Sequence, residues 1–211
     1  MLSIYYADIQ ELPTEIGPLP ISDYRREVLD KIRHPMKRRQ SLGVELLLMK
    51  ALQEKYPNIH FPVHILKSEE GKPYLTDLPV HFSLSHSGVY SACVIADEPI
   101  GLDIQMDRDF HPGVSRRCFT PEEMDILLKC PSKDYAFSML WSLKESYLKA
   151  LGTGLSKSMQ SVSVEFHVSS PLAKCEGAHF WHTYEGECHF SVCVLGRKAL
   201  DSVELKKIKL L

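Results

Sequence analysis

The stretch from Trp141 to Ser156, WSLKESYLKALGTGLS, constrains the fold more than any other part of this chain. Trp141, Glu145 and Lys149 recur at every fourth position, so on an α-helix they lie along one ridge. A Gly-Thr-Gly element follows at once, so the helix is predicted to end at Leu151. A carboxylate between lysines suits an anionic substrate with a divalent cation, because the acid can hold the metal while the lysines hold the anion. An ordinary surface ion pair on an amphipathic helix is the alternative.

A second motif, Pro99–Gln105 (PIGLDIQ), predicts a short strand with an acid at its centre. Side chains alternate along a strand, so Asp103 and Gln105 would point to one side and the apolar residues to the other. Gly101 would allow another backbone to approach closely. A carboxylate on a half-buried strand must be paired, hydrogen-bonded or bound to a metal. An exposed edge strand with its polar face in water is the alternative.

A third motif, His81–Gly88 (HFSLSHSG), leads into the apolar strand Tyr90–Ala96. Ser83, Ser85 and His86 can donate hydrogen bonds to phosphate oxygens, and a partly protonated His86 would add positive charge. A Ser–His nucleophile is disfavoured, because adjacent residues of an extended chain point to opposite faces and no G-x-S-x-G motif is present. A polar strand end is the simpler interpretation of the serines.

Four segments, in this order and spacing, resemble the 4′-phosphopantetheinyl transferases of the surfactin-synthetase-activating type: FSLSHSG, PIGLDIQ, FTPEEM and WSLKESYLKALGTGLS. The resemblance is strongest from Gly71 to Ser163. It implies transfer of the phosphopantetheine arm of coenzyme A to a serine of an apo carrier protein. Adenosine 3′,5′-bisphosphate would be the other product and Mg²⁺ the metal, with Mn²⁺ as a substitute.

The resemblance implies an α+β fold of two pseudo-symmetric α/β halves, each a small, mainly antiparallel sheet packed on a long helix. Residues 1–100 would form the half that binds the adenine and phosphate end of coenzyme A. Residues 101–211 would carry the metal site and the carrier-protein side, and the active site would lie between the halves.

The same resemblance assigns roles to individual residues. Asp103 and Glu145 match the metal-binding acids, and Lys149 matches a lysine that contacts the pyrophosphate and assists the leaving phosphate. Whether Glu145 or a bound water is the base is left open. His86 matches a histidine associated with the 3′-phosphate, and Lys72 lies in a loop against the adenine. The residues expected to bind coenzyme A are Arg39, Lys72, Pro73, Ser85, His86, Lys144 and Arg26, with Arg25 as the alternative to Arg26.

Gln105 stands where many members of the family have another acid, and it is retained as a possible metal contact. A neutral amide adds no charge, so the metal would rest on two carboxylates, substrate phosphate and water, which Mg²⁺ tolerates. Activity is therefore expected to survive. A catalytically weak coenzyme-A- or carrier-binding module is the alternative function.

Glu123 has two interpretations. Thr120, Pro121 and Glu123 form a capping box at a predicted helix start, which explains the acid structurally. The resemblance instead places an acid here near the metal and the carrier-binding helix.

Charge and composition limit the classes of molecule that this protein is expected to bind. A net charge of −2 argues against a general nucleic-acid or membrane role. Basic residues nevertheless cluster before the second predicted helix, as a solvated face or as a binding surface for phosphate or an acidic carrier protein. They are Arg25, Arg26, Lys31, Arg33, Lys37, Arg38 and Arg39.

No signal peptide, membrane span or C-x-x-C pair is evident, so the prediction is a cytoplasmic protein with free thiols. The two pseudo-symmetric halves that the resemblance implies would make it a monomer. A zinc site from the histidines and cysteines between His179 and Cys193 is disfavoured, because strand alternation would divide them between two faces. The physiological carrier, from fatty-acid, polyketide or nonribosomal-peptide synthesis, is left open.

Periodicity and turn residues predict the other elements. Predicted helices are Asp23–Ile32, Arg39–Tyr56, Pro121–Lys129 and Asp134–Leu151. Predicted strands are Leu2–Ala7, Ile59–Leu66, Pro73–Leu75, Phe82–Leu84, Tyr90–Ala96, Ile100–Gln105, Val162–Val168, His179–Tyr184 and His189–Leu195.

Overall fold

A computed structural model describes residues 1–15, 17–154, 158–167, 170–175, 177–196, 200 and 202–210, with only the backbone described for 166, 167 and 170–175. The helices are α1 (Asp23–Lys31), α2 (Pro35–Lys55), α3 (Pro112–Cys118), α4 (Pro121–Lys129) and α5 (Lys133–Leu151). The strands are β1 (Leu2–Asp8), β2 (Ile65–Lys67), β3 (Pro73–Leu75), β4 (His81–Ser87), β5 (Tyr90–Ala96), β6 (Ile100–Met106), β7 (Glu165–His167), β8 (Ser170–Cys175), β9 (Ala178–Glu185), β10 (Cys188–Leu195) and β11 (Val203–Lys207).

Two sheets organise the described chain. The first has the order β11-β1-β5-β4, and the second has the order β6-β10-β9-β8-β7. Pairing within both is antiparallel except between β1 and β11, which run parallel. Strands β2 and β3 form a separate hairpin.

The core has three layers of apolar contact. Apolar side chains of β1 and β5 pack against those of β6 and β10, so the two sheets share one core cluster. The opposite face of the first sheet packs on α2. Helix α5 lies on the second sheet and also buries apolar residues with α3 and α4. The predicted α+β fold, with a mainly antiparallel sheet and a long helix in each half, is confirmed.

Local sequence explains where the site-bearing helices begin and end. Ser132 caps α5 by accepting a hydrogen bond from the Tyr135 N–H, and Gly152 ends it with φ of 81°. Thr120 and Glu123 close the predicted capping box at the start of α4.

Some element predictions were wrong. Helix α2 begins at Pro35 instead of Arg39, because proline is well accommodated at the first helical position, where no intrahelical N–H bond is needed. The predicted strand Ile59–Leu66 is reduced to β2, Ile65–Lys67. Helix α3 and strands β8 and β11 were not predicted. The predicted strand end at Val168 lies outside the described residues.

The return of β11 to the first sheet bears on the predicted division of the chain. This strand belongs to the predicted second half by sequence, but it pairs with β1. The division at residue 100 stays a prediction.

None of the described helices is long and apolar enough to cross a membrane. The cysteines whose side chains are described are free thiols, namely Cys93, Cys118, Cys130, Cys188 and Cys193.

Candidate active site

Strand β6 presents Asp103 and Gln105 on one face, as predicted. Ile100, Leu102 and Ile104 lie on the opposite face, in the core cluster that the two sheets share. Asp103 is 6% exposed and Gln105 4% exposed, so both polar groups are buried between strands and helix.

Gly101 allows α5 to lie directly on β6. A Cβ atom at Gly101 would be 1.9 Å from the Ser146 carbonyl oxygen and 2.4 Å from the Ala150 nitrogen. The predicted close backbone approach is therefore confirmed. It brings the ridge of α5 that carries Glu145 and Lys149 over Asp103.

Strand β4 is joined to β6 by serine hydroxyls, which we call the serine ladder (Ser83, Ser85 and Ser87). Each hydroxyl oxygen accepts a hydrogen bond from a backbone N–H of β6. The N–H of Leu102 donates to Ser83 (2.9 Å), that of Ile104 donates to Ser85 (3.1 Å), and that of Met106 donates to Ser87 (3.0 Å). Side-chain oxygens thus take the place of backbone carbonyls, and an edge of the first sheet is held beside an edge of the second.

Lys149, Asp103 and Ser85 form the centre of the site. The Lys149 ammonium donates to Asp103 Oδ1 at 2.6 Å and to Ser85 Oγ at 3.0 Å. The Ser85 hydroxyl donates to the same Asp103 oxygen at 2.9 Å. The Lys149 side chain remains 28% exposed, so its ammonium sits at the boundary between the buried acid and open space.

Glu145 is half-buried one helical turn before Lys149. Burial raises the pKa of Glu145, and the negative charge of Asp103 raises it further, whereas the Lys149 ammonium opposes the rise. A buried carboxylate beside a second carboxylate forms a site that favours a bound cation.

The donor set fits Mg²⁺. In the described part of the chain, no three His, Cys, Asp or Glu side chains converge on a common metal position. Carboxylate oxygens of Asp103 and Glu145 are ligands that Mg²⁺ would accept, and substrate phosphate and water would have to complete its shell.

Gln105 is turned toward β4. Its amide nitrogen donates to the Met106 carbonyl at 2.8 Å and to Ser87 Oγ at 3.3 Å. The nitrogen is therefore engaged in the strand contact, and a metal contact through the amide oxygen stays a prediction.

His86 lies at an open, positively charged edge of the site. The side chain is exposed, yet the surrounding protein desolvates the ring enough to lower its pKa to about 4, and the charges of Lys37, Lys149 and Arg25 lower it further. The lowered pKa disfavours a partly protonated ring in the free protein, and the expected contribution of His86 to phosphate binding stays a prediction. A phosphate placed among these cations would favour protonation of the ring.

The predicted basic cluster is divided in the structure. Arg25 is buried and donates to Glu45 at 3.2 Å and to Ser41 at 2.9 Å, and its charge also reaches His86. Arg26 is exposed and donates to the Leu19 carbonyl at 2.7 Å. Of these two arginines, Arg25 lies nearer the site.

Arg38 and Arg39 are held by backbone carbonyls. Arg39 Nε donates to Leu12 at 2.7 Å, and Arg38 Nε donates to Thr14 at 2.9 Å. These guanidinium groups fix the segment before α1 against α2. The expected role of Arg39 in nucleotide binding stays a prediction.

Lys144 points away from Asp103. It is fully buried, and its ammonium donates to Glu123 Oε2 at 2.6 Å beside the ring of Phe119. Glu123 also accepts from the backbone N–H of Val164 at 2.9 Å. The structure thus joins the expected phosphate ligand to the capping acid and does not place it beside Lys149.

Lys72 and Pro73 line a groove of about 210 Å³ that also includes Ser83, Leu84 and Lys149. The groove opens beside the Lys149 ammonium. The Lys72 ammonium is directed to backbone carbonyls of β6 and α5.

The sequence analysis included Lys37 only as a member of the basic cluster and did not assign it to the coenzyme A site. Helix α2 begins early enough to include it, and Gln40, one turn later, donates to the Gly88 carbonyl at 2.8 Å in the turn after β4. That contact brings the first turn of α2 near His86. The proline at position 35 was the available signal, because it marks a helix start.

Residues 99–199 match the sequence profile of the 4′-phosphopantetheinyl transferase superfamily. A 4′-phosphopantetheinyl transferase of Bacillus subtilis is 33% identical over 196 residues, which cover 88% of this chain and 87% of the relative. The transferase Sfp of Bacillus subtilis strain 168 is 32% identical, with 82% of this chain and 81% of the relative covered. Among solved structures, the holo-[acyl-carrier-protein] synthase of Thermotoga maritima is 22% identical with a TM-score of 0.41, covering 47% of this chain and 64% of that chain.

The profile match begins just before β6 and includes α5, so it contains Asp103, Glu145 and Lys149. The sequence identity to the Bacillus transferases extends over most of both chains. The chain therefore belongs to the 4′-phosphopantetheinyl transferase superfamily.

Proposed function

We propose that this protein transfers the 4′-phosphopantetheine arm of coenzyme A to a serine of an apo carrier protein and releases adenosine 3′,5′-bisphosphate. The observation that carries the proposal is the contact of Lys149 with Asp103 and Ser85, next to the half-buried Glu145. This arrangement offers carboxylates for a metal and an ammonium for phosphate in one place.

The reaction exchanges the phosphoanhydride bond of the coenzyme A pyrophosphate for a phosphoester bond to the carrier serine. The carrier serine oxygen forms a bond to the phosphorus beside the pantetheine as the bond from that phosphorus to the nucleotide phosphate breaks. The serine proton passes to Glu145, directly or through a water molecule. The raised pKa of Glu145 suits a proton acceptor, because a more basic carboxylate accepts a proton more readily.

Lys149 acts on the leaving group. Negative charge develops on the departing phosphate oxygen, and an ammonium held in place neutralises it without reorganisation. Asp103 and Ser85 hold that ammonium in the free protein. Mg²⁺ bound by Asp103 and Glu145 would supply further charge neutralisation to the pyrophosphate.

Charge favours one orientation of the nucleotide. Lys37 and Arg25 form a positive edge beside His86 that suits the 3′-phosphate. The groove beside Lys149, lined by Pro73 and Leu84, offers apolar surface for the adenine.

Mass spectrometry tests the proposal directly. Apo carrier proteins from fatty-acid, polyketide and peptide synthesis are incubated with this protein, coenzyme A and Mg²⁺, with Mn²⁺ and EDTA as parallel samples. We expect a mass gain of one phosphopantetheine on the carrier serine and its loss with Lys149→Met. Unmodified carriers despite tight coenzyme A binding would instead identify a binding module. The expected acidic carrier, monomeric state and cytoplasmic location stay predictions.

A further inference from the structure

The loop between β2 and β3 has a defined shape that presents Lys72. The Gly71 N–H donates to the Ser68 carbonyl at 2.9 Å, and the Ser68 N–H donates to the Lys72 carbonyl at 2.9 Å. The Lys72 N–H donates to Ser68 Oγ at 3.1 Å. Gly71 takes φ of 89°, which only glycine adopts readily. The loop therefore fixes the backbone from which the lysine extends.

The Lys72 ammonium is fully engaged by backbone carbonyls of β6 and α5. It donates to Lys149 at 2.6 Å, to Ala150 at 3.2 Å and to Ile100 at 3.2 Å. An ammonium has three N–H groups, so each has an acceptor and none is left for a phosphate.

Two of these acceptors belong to the last turn of α5. Carbonyls at a helix C-terminus have no intrahelical donor, and they carry the negative end of the helix dipole. The Lys72 stem also covers Gly152, where an added Cβ would be 3.1 Å from Lys72 Cδ. The lysine thus closes the end of α5 by both charge and packing.

Lys149 is therefore held at two points. Its carbonyl is bound by Lys72, and its ammonium is bound by Asp103 and Ser85. A displacement of about 1 Å at a reacting group can lower a rate by roughly 100-fold. The geometry at the end of α5 thus controls where the Lys149 ammonium lies.

We propose that Lys72 is a positioning residue, which fixes the end of α5 and thereby the Lys149 ammonium, and that it is not a ligand of the nucleotide. The proposal rests on the transferase function proposed above. It assigns to Lys72 a different role from the adenine contact expected from the sequence.

Steady-state kinetics of Lys72→Met distinguish the two roles. A positioning role predicts that kcat falls roughly 10- to 100-fold while KM for coenzyme A changes less than about threefold. A ligand role predicts a raised KM with kcat retained, and that result would overturn the proposal. Lys72→Arg, which keeps charge and donors, should recover part of kcat. Lys67→Met is the matched control, since Lys67 is exposed in the same hairpin, and it should leave both constants unchanged.

Hydrogen exchange of the free protein supplies a readout that needs no catalysis. In Lys72→Met the amide of Gly152, which bonds to the Leu148 carbonyl, should exchange faster than in the wild type, while β10 stays protected. Unchanged exchange would contradict the proposal even if transfer itself were absent. If Lys72→Met does not fold, Lys72→Gln is measured in the same way. An inactive wild type with faster exchange in the variant would sink the proposed function and leave this inference standing.

Discussion

The Ser85 hydroxyl group takes part both in the contact between β4 and β6 and in the candidate active site. The Ser85 oxygen accepts hydrogen bonds from the Ile104 N–H and from the Lys149 ammonium, and the hydroxyl donates a hydrogen bond to Asp103. Ser83, two residues earlier on the same strand, accepts the equivalent N–H of Leu102, and within the described part of the chain no hydrogen bond joins it to Lys149 or Asp103. Comparing substitutions at Ser83 and Ser85 therefore distinguishes the structural role of the serine ladder from the role of Ser85 in the site.

Ser85→Ala and Ser83→Ala are expected to have similar effects on stability and different effects on rate. Each removes the acceptor of a buried N–H, which costs about 1–3 kcal/mol of unfolding free energy. Only Ser85→Ala also removes one of the two acceptors of the Lys149 ammonium and a donor to Asp103, so only this variant should lower kcat markedly. Urea unfolding and transfer kinetics would test this expectation. Equal rates for the two variants would remove Ser85 from the site.

Glu145 has a carboxylate whose charged form is disfavoured in the folded protein. Burial and Asp103 raise its pKa, and Lys149 does not cancel the rise. A group whose pKa is raised on folding destabilises the native state above that pKa, and the penalty disappears below the unfolded pKa. Without a bound cation, Glu145 therefore lowers stability near neutral pH.

Glu145→Gln should raise the melting temperature at pH 7.5 while abolishing transfer. The gain should shrink as pH falls toward about 4.3, the ordinary pKa of glutamate, because wild-type Glu145 is then neutral as well. Calorimetry in EDTA across that pH range would measure both effects. Glu27→Gln, at an exposed position of α1, is the control and should show no such pH-dependent gain.

At the scale of elements, α4 is attached to α5 through Glu123. One carboxylate closes the capping box of α4, accepts the Val164 N–H and pairs with the buried ammonium of Lys144. The capping interpretation of Glu123 is thus correct but incomplete, because the acid also neutralises a cation that has no exposed surface.

Glu123→Gln tests the charge while keeping the cap, because glutamine can also close a capping box. If capping were its whole role, the substitution would be nearly silent. We expect a loss of about 3–5 kcal/mol instead, since the buried ammonium of Lys144 would lose the charge of the carboxylate with which it pairs at 2.6 Å. The double variant Glu123→Gln/Lys144→Met should recover much of this loss. Chemical denaturation of these variants, with exposed Glu122→Gln as control, would measure it.

At the scale of the whole molecule, the sequence predicted the positions of side chains correctly where strand alternation or helix spacing determines them. It predicted that Asp103 and Gln105 share a face and that another backbone can approach Gly101 closely. It did not predict the direction of Lys144 or the contacts of Lys72, because both depend on partners distant in sequence, Glu123 and the end of α5. It also missed β11, whose pairing with β1 is a long-range choice.

The two sheets are joined in ways that predict unfolding as one unit. They share a core cluster, the serine ladder links their edges, and β11 returns to the first sheet. Amides of β5 and β10 should therefore exchange with the same free energy of opening, equal to that of global unfolding. The short helix α3 should open more easily and serve as an internal control for local motion.

Coenzyme A with Mg²⁺ should raise protection in β5 and β10 equally, because a ligand bound between linked halves stabilises both. If β5 became exposed at a lower free energy than β10, the halves would be independent, and the position of Lys149 over Asp103 would have to be maintained by the substrate.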